Sequence, residues 1–326
     1  MTIRRLCVVV LLFMMSVGCT QDREHILASE GVGIWQPGQI LDTKTGHLLS
    51  SSDWLEGLGS YEIIYLGEEH HNQHHIDAAL QIMDRLLSNG AQPVLGMEMF
   101  GWDGQPALDE YLSKDSPLSR SDFLDRVRWT QNWGGAFEDY EPLVTFARDR
   151  GISILAMNPP RPLIRQIVKV GLATVREGQE WAQWGMDQED IVDDPSYRAR
   201  ITDQLERCHG GGGHADHFRT MYEASMARDE GMAKTLAAEL KKLRRDSPES
   251  RKVIVSYTGG GHIQYHLPVP LRVDRRVASG AKQTSVYMTS FDASRLDDIR
   301  ELAGEGVADY IWLTPTGRKG PPKRCR

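Results

Sequence analysis

The apolar positions of this chain follow two periods. Near-continuous apolar runs recur at Ile63-Ile64-Tyr65-Leu66, Pro93-Val94-Leu95-Gly96-Met97, Ile152-Ser153-Ile154-Leu155-Ala156, Val253-Ile254-Val255, Thr284-Ser285-Val286-Tyr287-Met288 and Asp309-Tyr310-Ile311-Trp312-Leu313. Each has the length of a strand and is apolar on both faces, as strands of a covered parallel sheet are. Between them the spacing turns helical. Ile76, Ala79, Leu80, Met83, Leu86 and Leu87 form one stripe, which predicts a helix over 73–88 closed by Ser88-Asn89-Gly90. Three helical stretches fill 104–150, ending at Gly151, and another follows Asn158-Pro159-Pro160 over 161–171. Upstream, the segments Ile34 to Ile40 and Thr43 to Leu49 predict a hairpin turning at Thr45-Gly46, and Ser52 to Leu58 a short capped helix. Strands alternating with helices give an α/β fold, with a mostly parallel central sheet flanked by helices.

Residues 172–250 break this rhythm. They hold no strand pattern and read as helices at 174–184, 195–207, 215–228 and 230–245, with Gly210-Gly211-Gly212-Gly213 as a loop. This predicts a smaller inserted helical subdomain over 172–250, between the two parts of an α/β domain at 33–171 and 251–316.

The start of the chain adds an address. Arg4-Arg5, the apolar run from Leu6 to Val17 and then Gly18-Cys19 describe a signal peptide over 1–18, too short to span a bilayer as a helix. Cysteine after Gly18 resembles a bacterial lipobox, so Cys19 is the expected site of lipidation, with 19–32 as a tether; plain secretion and an uncleaved anchor are the alternatives. Ser16 stands where leucine is usual. Thr20, rather than aspartate, follows the cysteine, which by the rule for such lipoproteins favours the outer membrane facing the periplasm. Residues 317–326 read as a flexible basic tail. Removing 1–18 leaves 308 residues and moves the formal charge from −7 to −9, which argues against a nucleic-acid partner. Of the four cysteines, only Cys208 and Cys325 then remain to pair in an oxidising compartment, and no CxxC zinc pattern is present.

The chemistry lies in the turns after the strands. Gly67-Glu68-Glu69-His70 and Gly259-Gly260-Gly261-His262 each follow an apolar run, and Glu98 ends another. In an α/β sheet the carboxyl ends of the strands share one edge, where ligands bind. His70, Glu98 and His262 are therefore expected to converge and to suit a divalent metal ion, with Glu68 or Glu69 as a further ligand or general base. The eleven histidines also cluster: four lie between His70 and His75, and three are His209, His214 and His217. His214 and His217 can share a helix face or simply line a polar loop. Met221, Met226 and Met232 suit either a core or an apolar haem plate. Tyr140 and Tyr222 can ligate ferric haem or simply sit on amphipathic helices. No serine-nucleophile elbow, phosphate loop, dinucleotide fingerprint or His-Glu-x-x-His helix occurs.

Leu66-Gly67-Glu68-Glu69-His70, Gly96-Met97-Glu98-Met99-Phe100, Tyr140-Glu141-Pro142-Leu143, Ala156-Met157-Asn158, Asp229-Glu230-Gly231-Met232-Ala233 and Gly261-His262 occur in the order seen in the ChaN-like haem-binding lipoproteins of the Tiki/TraB/erythromycin-esterase-like group. The chain resembles that family over about residues 30–290. The resemblance implies haem bound at or near a homodimer interface, by tyrosine and histidine, and iron uptake alongside outer-membrane machinery. It places Tyr140 in the best-matching tyrosine motif. It also maps His70, Glu98 and His262 onto positions thought to bind metal in Tiki-type proteases, although Gly259-Gly260-Gly261 departs from the commoner asparagine-bearing version. Three functions stand side by side: a lipid-anchored haem or iron binder, a metal-dependent hydrolase with Glu69 as its base, and an interaction lipoprotein with a vestigial site.

Overall fold

The computed structural model describes residues 35–209, 215–246, 251–318 and 320. Cys19, His214, the tail from 321 and Cys325 lie outside the described residues, as do the side chains of Cys208, His209 and His217.

The described residues form one sheet of eight strands: β1 Gln39–Asp42, β2 Leu48–Ser50, β3 Ile63–Glu68, β4 Gln92–Gly101, β5 Ile154–Asn158, β6 Lys252–Gly259, β7 Gln283–Ser290 and β8 Tyr310–Thr314. Their order is β2-β1-β8-β7-β3-β6-β4-β5. From β8 to β5 the pairs are parallel, while β1 runs antiparallel to both β8 and β2. The predicted hairpin is present but shorter. Pro37 lacks an amide donor and Gly38 turns at φ +94°, so pairing begins at Gln39.

Alternation along the strands divides the core into two layers. Ile64 and Leu66 of β3 pack with Ile76, Ala79, Met83 and Leu86 of helix Gln73–Ser88. Ile63 and Tyr65 pack on the opposite face with Met232, Leu236 and Leu240. Both faces are thus covered, which is why the strands read as unbroken apolar runs. Helix Gln73–Ser88 has the predicted bounds, and Asn72 caps it by accepting a bond from the His74 amide at 3.1 Å.

The 104–150 stretch is more broken than its periodicity suggests. It forms helices Gln105–Leu112, Arg120–Arg126, Trp129–Asn132 and Glu141–Arg150, with Arg128 in the left-handed region at φ 53° separating two of them. The predicted helix 174–184 is likewise divided, into Leu172–Arg176 and Gln179–Gln183.

The predicted helices 215–228 and 230–245 are instead one helix, Ala215–Asp246, of 32 residues. Between the two predicted helices the chain stays helical and Gly231 lies against Pro159, just beyond the end of β5. A Cβ on Gly231 would lie 2.3 Å from Pro159 Cγ. Asp229 and Glu230 point inward, 2% and 0% exposed, onto partners of their own. The second half of this helix covers the sheet through Met232, Leu236 and Leu243. Its first half joins Leu163, Ile167, Leu172, Val175 and Trp181 in a satellite core through Ala224 and Ala227. Segment 172–250 is therefore tied to the sheet by one continuous helix.

Candidate functional site

β3, β6 and β4 lie side by side, so their carboxyl ends deliver His70, His262 and Glu98 to one place. The turn after β3 is sharp because His71 adopts φ 66°, and its amide is held by the Tyr140 hydroxyl at 3.2 Å. After β6, the glycines serve by lacking side chains. A Cβ at Gly259 would lie 2.8 Å from the His70 ring, and one at Gly260 would lie 2.5 Å from the Tyr287 ring. None of the three glycines has positive φ, so clearance rather than an unusual backbone conformation requires Gly259 and Gly260, while a Cβ on Gly261 would meet no atom within 4 Å.

Two imidazoles are anchored in parallel fashion. His70 Nδ1 lies 2.7 Å from Glu68 Oε1, and Glu68 also accepts from Tyr140 at 2.8 Å and Tyr257 at 2.6 Å. His262 Nδ1 lies 2.5 Å from Asp229 Oδ1, and Asp229 accepts from the Tyr197 hydroxyl. Each ring is thus oriented by a buried carboxylate that tyrosine hydroxyls hold in turn. The difference is at the other nitrogen. His262 Nε2 is 3.3 Å from Glu98 Oε1. A ring with a carboxylate at both nitrogens donates from both, so it is an imidazolium. Burial alone lowers its pKa, but the charges of Glu98 and Asp229 outweigh burial and push it up to about 9. His70 is the open ring, with 42% of its side chain exposed. Burial lowers its pKa, yet the Glu68 hydrogen bond and the Glu98 charge leave it raised.

Glu98 is fully buried, which opposes its ionisation. His262 and Arg228 nevertheless hold its carboxyl well below the ordinary range. The Arg228 guanidinium bonds Oε1 directly, and the Gly259 amide donates to Oε2 at 2.6 Å. These groups surround a cavity of about 590 Å³ lined in part by Glu68, His70, Glu98, Arg228, His262 and Tyr287.

The expected convergence of His70, Glu98 and His262 is present, but a cation of the protein itself sits on the carboxylate. Among the described residues no group of three or more His, Cys, Asp or Glu side chains is disposed to hold a metal ion. Glu69 lines the cavity yet has other partners. It accepts from the Thr289 hydroxyl at 2.6 Å, the Ser290 amide at 3.0 Å and the Ser290 hydroxyl at 2.5 Å, tying the end of β3 to β7. Tyr140 is fully buried beneath Glu68. Burial and then the Glu68 charge hold its hydroxyl protonated far above the usual phenol range, so here it supports Glu68 rather than facing a ligand. Tyr222 donates to Asp193 at 2.7 Å and packs on Tyr197, away from this cavity. Sequence reasoning missed Arg228 and did not give Asp229 its role. The one available signal was a run of three charges directly before a glycine within a helical pattern.

The sequence profile of the family described as "Haem-binding uptake, Tiki superfamily, ChaN" matches residues 54–273. The fold is similar to the solved structure titled "Cofacial heme binding to ChaN of Campylobacter jejuni", with a TM-score of 0.61 and 18% identity, covering 84% of this chain and 95% of that one. A 131-residue stretch is 26% identical to Protein RETICULATA-RELATED 5, chloroplastic, of Arabidopsis thaliana. That match takes in 38% of this chain and 17% of the plant protein.

Proposed function

The chain belongs to the ChaN family of haem-binding uptake proteins in the Tiki superfamily, and from that premise we propose that it binds haem at the β3/β6/β4 cavity, with the His70 imidazole as the side chain offered to the iron. The observation that carries this reading is the asymmetry of the two rings. His262 is bridged by carboxylates at both nitrogens, whereas His70 meets a carboxylate at Nδ1 and keeps 42% of its side chain exposed. A carboxylate-anchored imidazole would suit an iron, and the tyrosine-held Glu68 would fix its tautomer and raise its basicity. Haem, if bound, would supply an iron that the His70 imidazole could ligate. Glu68 orients the His70 ring, and Arg228 with His262 keeps Glu98 ionised and in place.

The test is a hemin titration of the mature chain. We expect a saturable Soret change, weakened at least about tenfold by His70→Ala, with the paired change of His214 and His217 to alanine as the comparison. If hemin gives only the unsaturable change seen with an unrelated acidic protein, the haem reading is wrong. If the histidine pair rather than His70 controls affinity, the ligand assignment is wrong. A second reading, metal-dependent hydrolysis at the same cavity, draws on the two carboxylate–imidazole pairs. It needs an ion to displace Arg228 from Glu98, and metal analysis of the same sample addresses it.

The proposal includes anchoring in the cell envelope through lipid on Cys19, a place in iron uptake beside outer-membrane machinery, and pairing of haem-loaded chains as a homodimer. It takes support from Arg4-Arg5, the apolar run and Gly18-Cys19. Cys19→Ser is expected to abolish acylation and detergent partitioning. Normal processing and unchanged membrane association of that variant would remove the anchor from the proposal.

A further inference from the structure

A second cavity, of about 340 Å³, adjoins the first across Glu98, His71 and Arg228. That is the low end of the range for small-molecule sites, roughly 300–1,000 Å³. Three guanidiniums border it, from Arg161, Arg165 and Arg228, against one carboxylate, Glu98. Glu98 is already bonded to Arg228 and to the Gly259 amide. It cancels one of the three positive charges and leaves two. Helix Arg161–Val170 carries Arg161 and Arg165 four residues apart, a spacing at which like charges repel. Arg161 spends one donor on the Trp133 carbonyl at 2.6 Å. Arg165 makes no hydrogen bond or ion pair among the described residues. Burial, then the charges of Arg165 and Arg228, lower the Arg161 pKa, as happens where cations crowd without a counterion.

A neutral donor on the same wall is also unspent. The Trp133 indole nitrogen is buried and has no acceptor among the described residues. Gly135 stands beside it on the cavity wall, and a Cβ there would lie 3.0 Å from that nitrogen. Glycine thus leaves a space beside the indole that a side chain would fill. Buried donors are nearly always satisfied, so guanidiniums and an indole N–H that share one cavity without an acceptor point to an absent anion. The remaining wall is apolar: Ile164 and Val168, one helical turn apart, with Pro159. The anion that fits therefore carries an organic body.

We propose that this second cavity binds a small phosphate monoester, with the phosphate oxygens on Arg161, Arg165 and the Trp133 N–H and the organic body against Ile164, Val168 and Pro159. The two uncancelled charges select the head, because a phosphate monoester carries about −1.5 to −2 at neutral pH and a carboxylate only one negative charge. Guanidinium forks bind such oxygens two at a time. The proposal does not depend on what fills the first cavity.

The experiment is isothermal titration calorimetry of the mature chain with phenyl phosphate. Saturable binding is expected, at least about tenfold tighter than that of inorganic phosphate, which lacks the apolar body. Benzoate, with the ring but a single charge, should also bind at least about tenfold more weakly than phenyl phosphate. Dihexanoyl phosphatidic acid, a soluble lipid with the same head, should bind more weakly still, because its two chains exceed the cavity. Arg165→Gln breaks no bond of the fold and should weaken phenyl phosphate about tenfold, with thermal melting unchanged. Lys169→Gln makes the same charge change on the same helix outside the cavity wall, and should cost little. Absence of binding by wild type, undiminished binding by Arg165→Gln or an equal loss in Lys169→Gln overturns the seat. Benzoate or inorganic phosphate matching phenyl phosphate overturns the assigned ligand class, and so does the lipid binding more tightly. Hemin titration is a separate readout, so the haem reading can fail while the seat stands, and the reverse.

Discussion

Glu98→Gln lowers the unfolding free energy by about 3–5 kcal/mol, the usual cost of breaking a buried ion pair by removing one partner. Glutamine fills the same space, so the loss is electrostatic. Arg228 and the His262 imidazolium are left facing a neutral amide at a position with no exposed side-chain surface. The pH dependence gives a second reading of the same contact. His262 titrates at about 9 in the fold against an ordinary 6.5. A raised histidine pKa stabilises the fold fully below 6.5, and that contribution is lost as pH rises through 9. It amounts to roughly 3 kcal/mol for a shift of this size. With Asp229 as its sole remaining carboxylate, the variant's His262 titrates lower and the alkaline loss shrinks. Urea unfolding between pH 6 and 10, with proton resonance titration of His262, measures both. A destabilisation below about 1 kcal/mol, or an unmoved His262 pKa, would contradict the described pairing.

Gly231→Ala is the second large effect, and its sign opposes helix propensity. In an open mid-helix position alanine gains about 1 kcal/mol over glycine. Here the new methyl would lie 2.3 Å and 2.8 Å from Pro159 Cγ and Cδ, and 3.2 Å from Trp102. Proline cannot swing aside, so the helix must move off the β5 edge. A net loss of about 2 kcal/mol or more is expected from overpacking of this kind. The shift would also carry Arg228 and Asp229 away from Glu98 and His262. Gly304→Ala is the control, since no atom lies within 4 Å of its Cβ position. That variant is expected to be neutral or slightly stabilised in thermal melting. If Gly231→Ala behaves like Gly304→Ala, the close approach is wrong.

Much of this arrangement is legible in the residues. The runs at 63–66, 93–97 and 253–255 read as buried strands because both faces are covered, and a turn after each places its polar residue at the shared edge. That rule alone brings His70, Glu98 and His262 together. It cannot say that β6 lies between β3 and β4, since periodicity carries no pairing information. The role of Glu68 over Glu69 was also hidden. They are neighbours in sequence, and only the last residue of β3 turns beneath His70 while the next meets Ser290. The site roles of Arg228 and Asp229 are illegible for another reason. Charges in a helical pattern normally mark a solvated face, and their burial depends on partners that lie tens of residues away.

The position of β6 also sets when the site can exist. β3 and β4 are successive strands in the chain, yet each pairs with β6, and they are not neighbours in the sheet. During synthesis, residues 63–101 leave the ribosome with a gap where residues 252–259 must later fit. Until then two apolar edges lack their partner, and unpaired strand edges invite the wrong one. Closing that gap joins segments some 190 residues apart in register, a non-local pairing of the kind that slows folding. The same late strand brings the glycine run and His262, so the fold cannot complete its sheet without also completing its cavity.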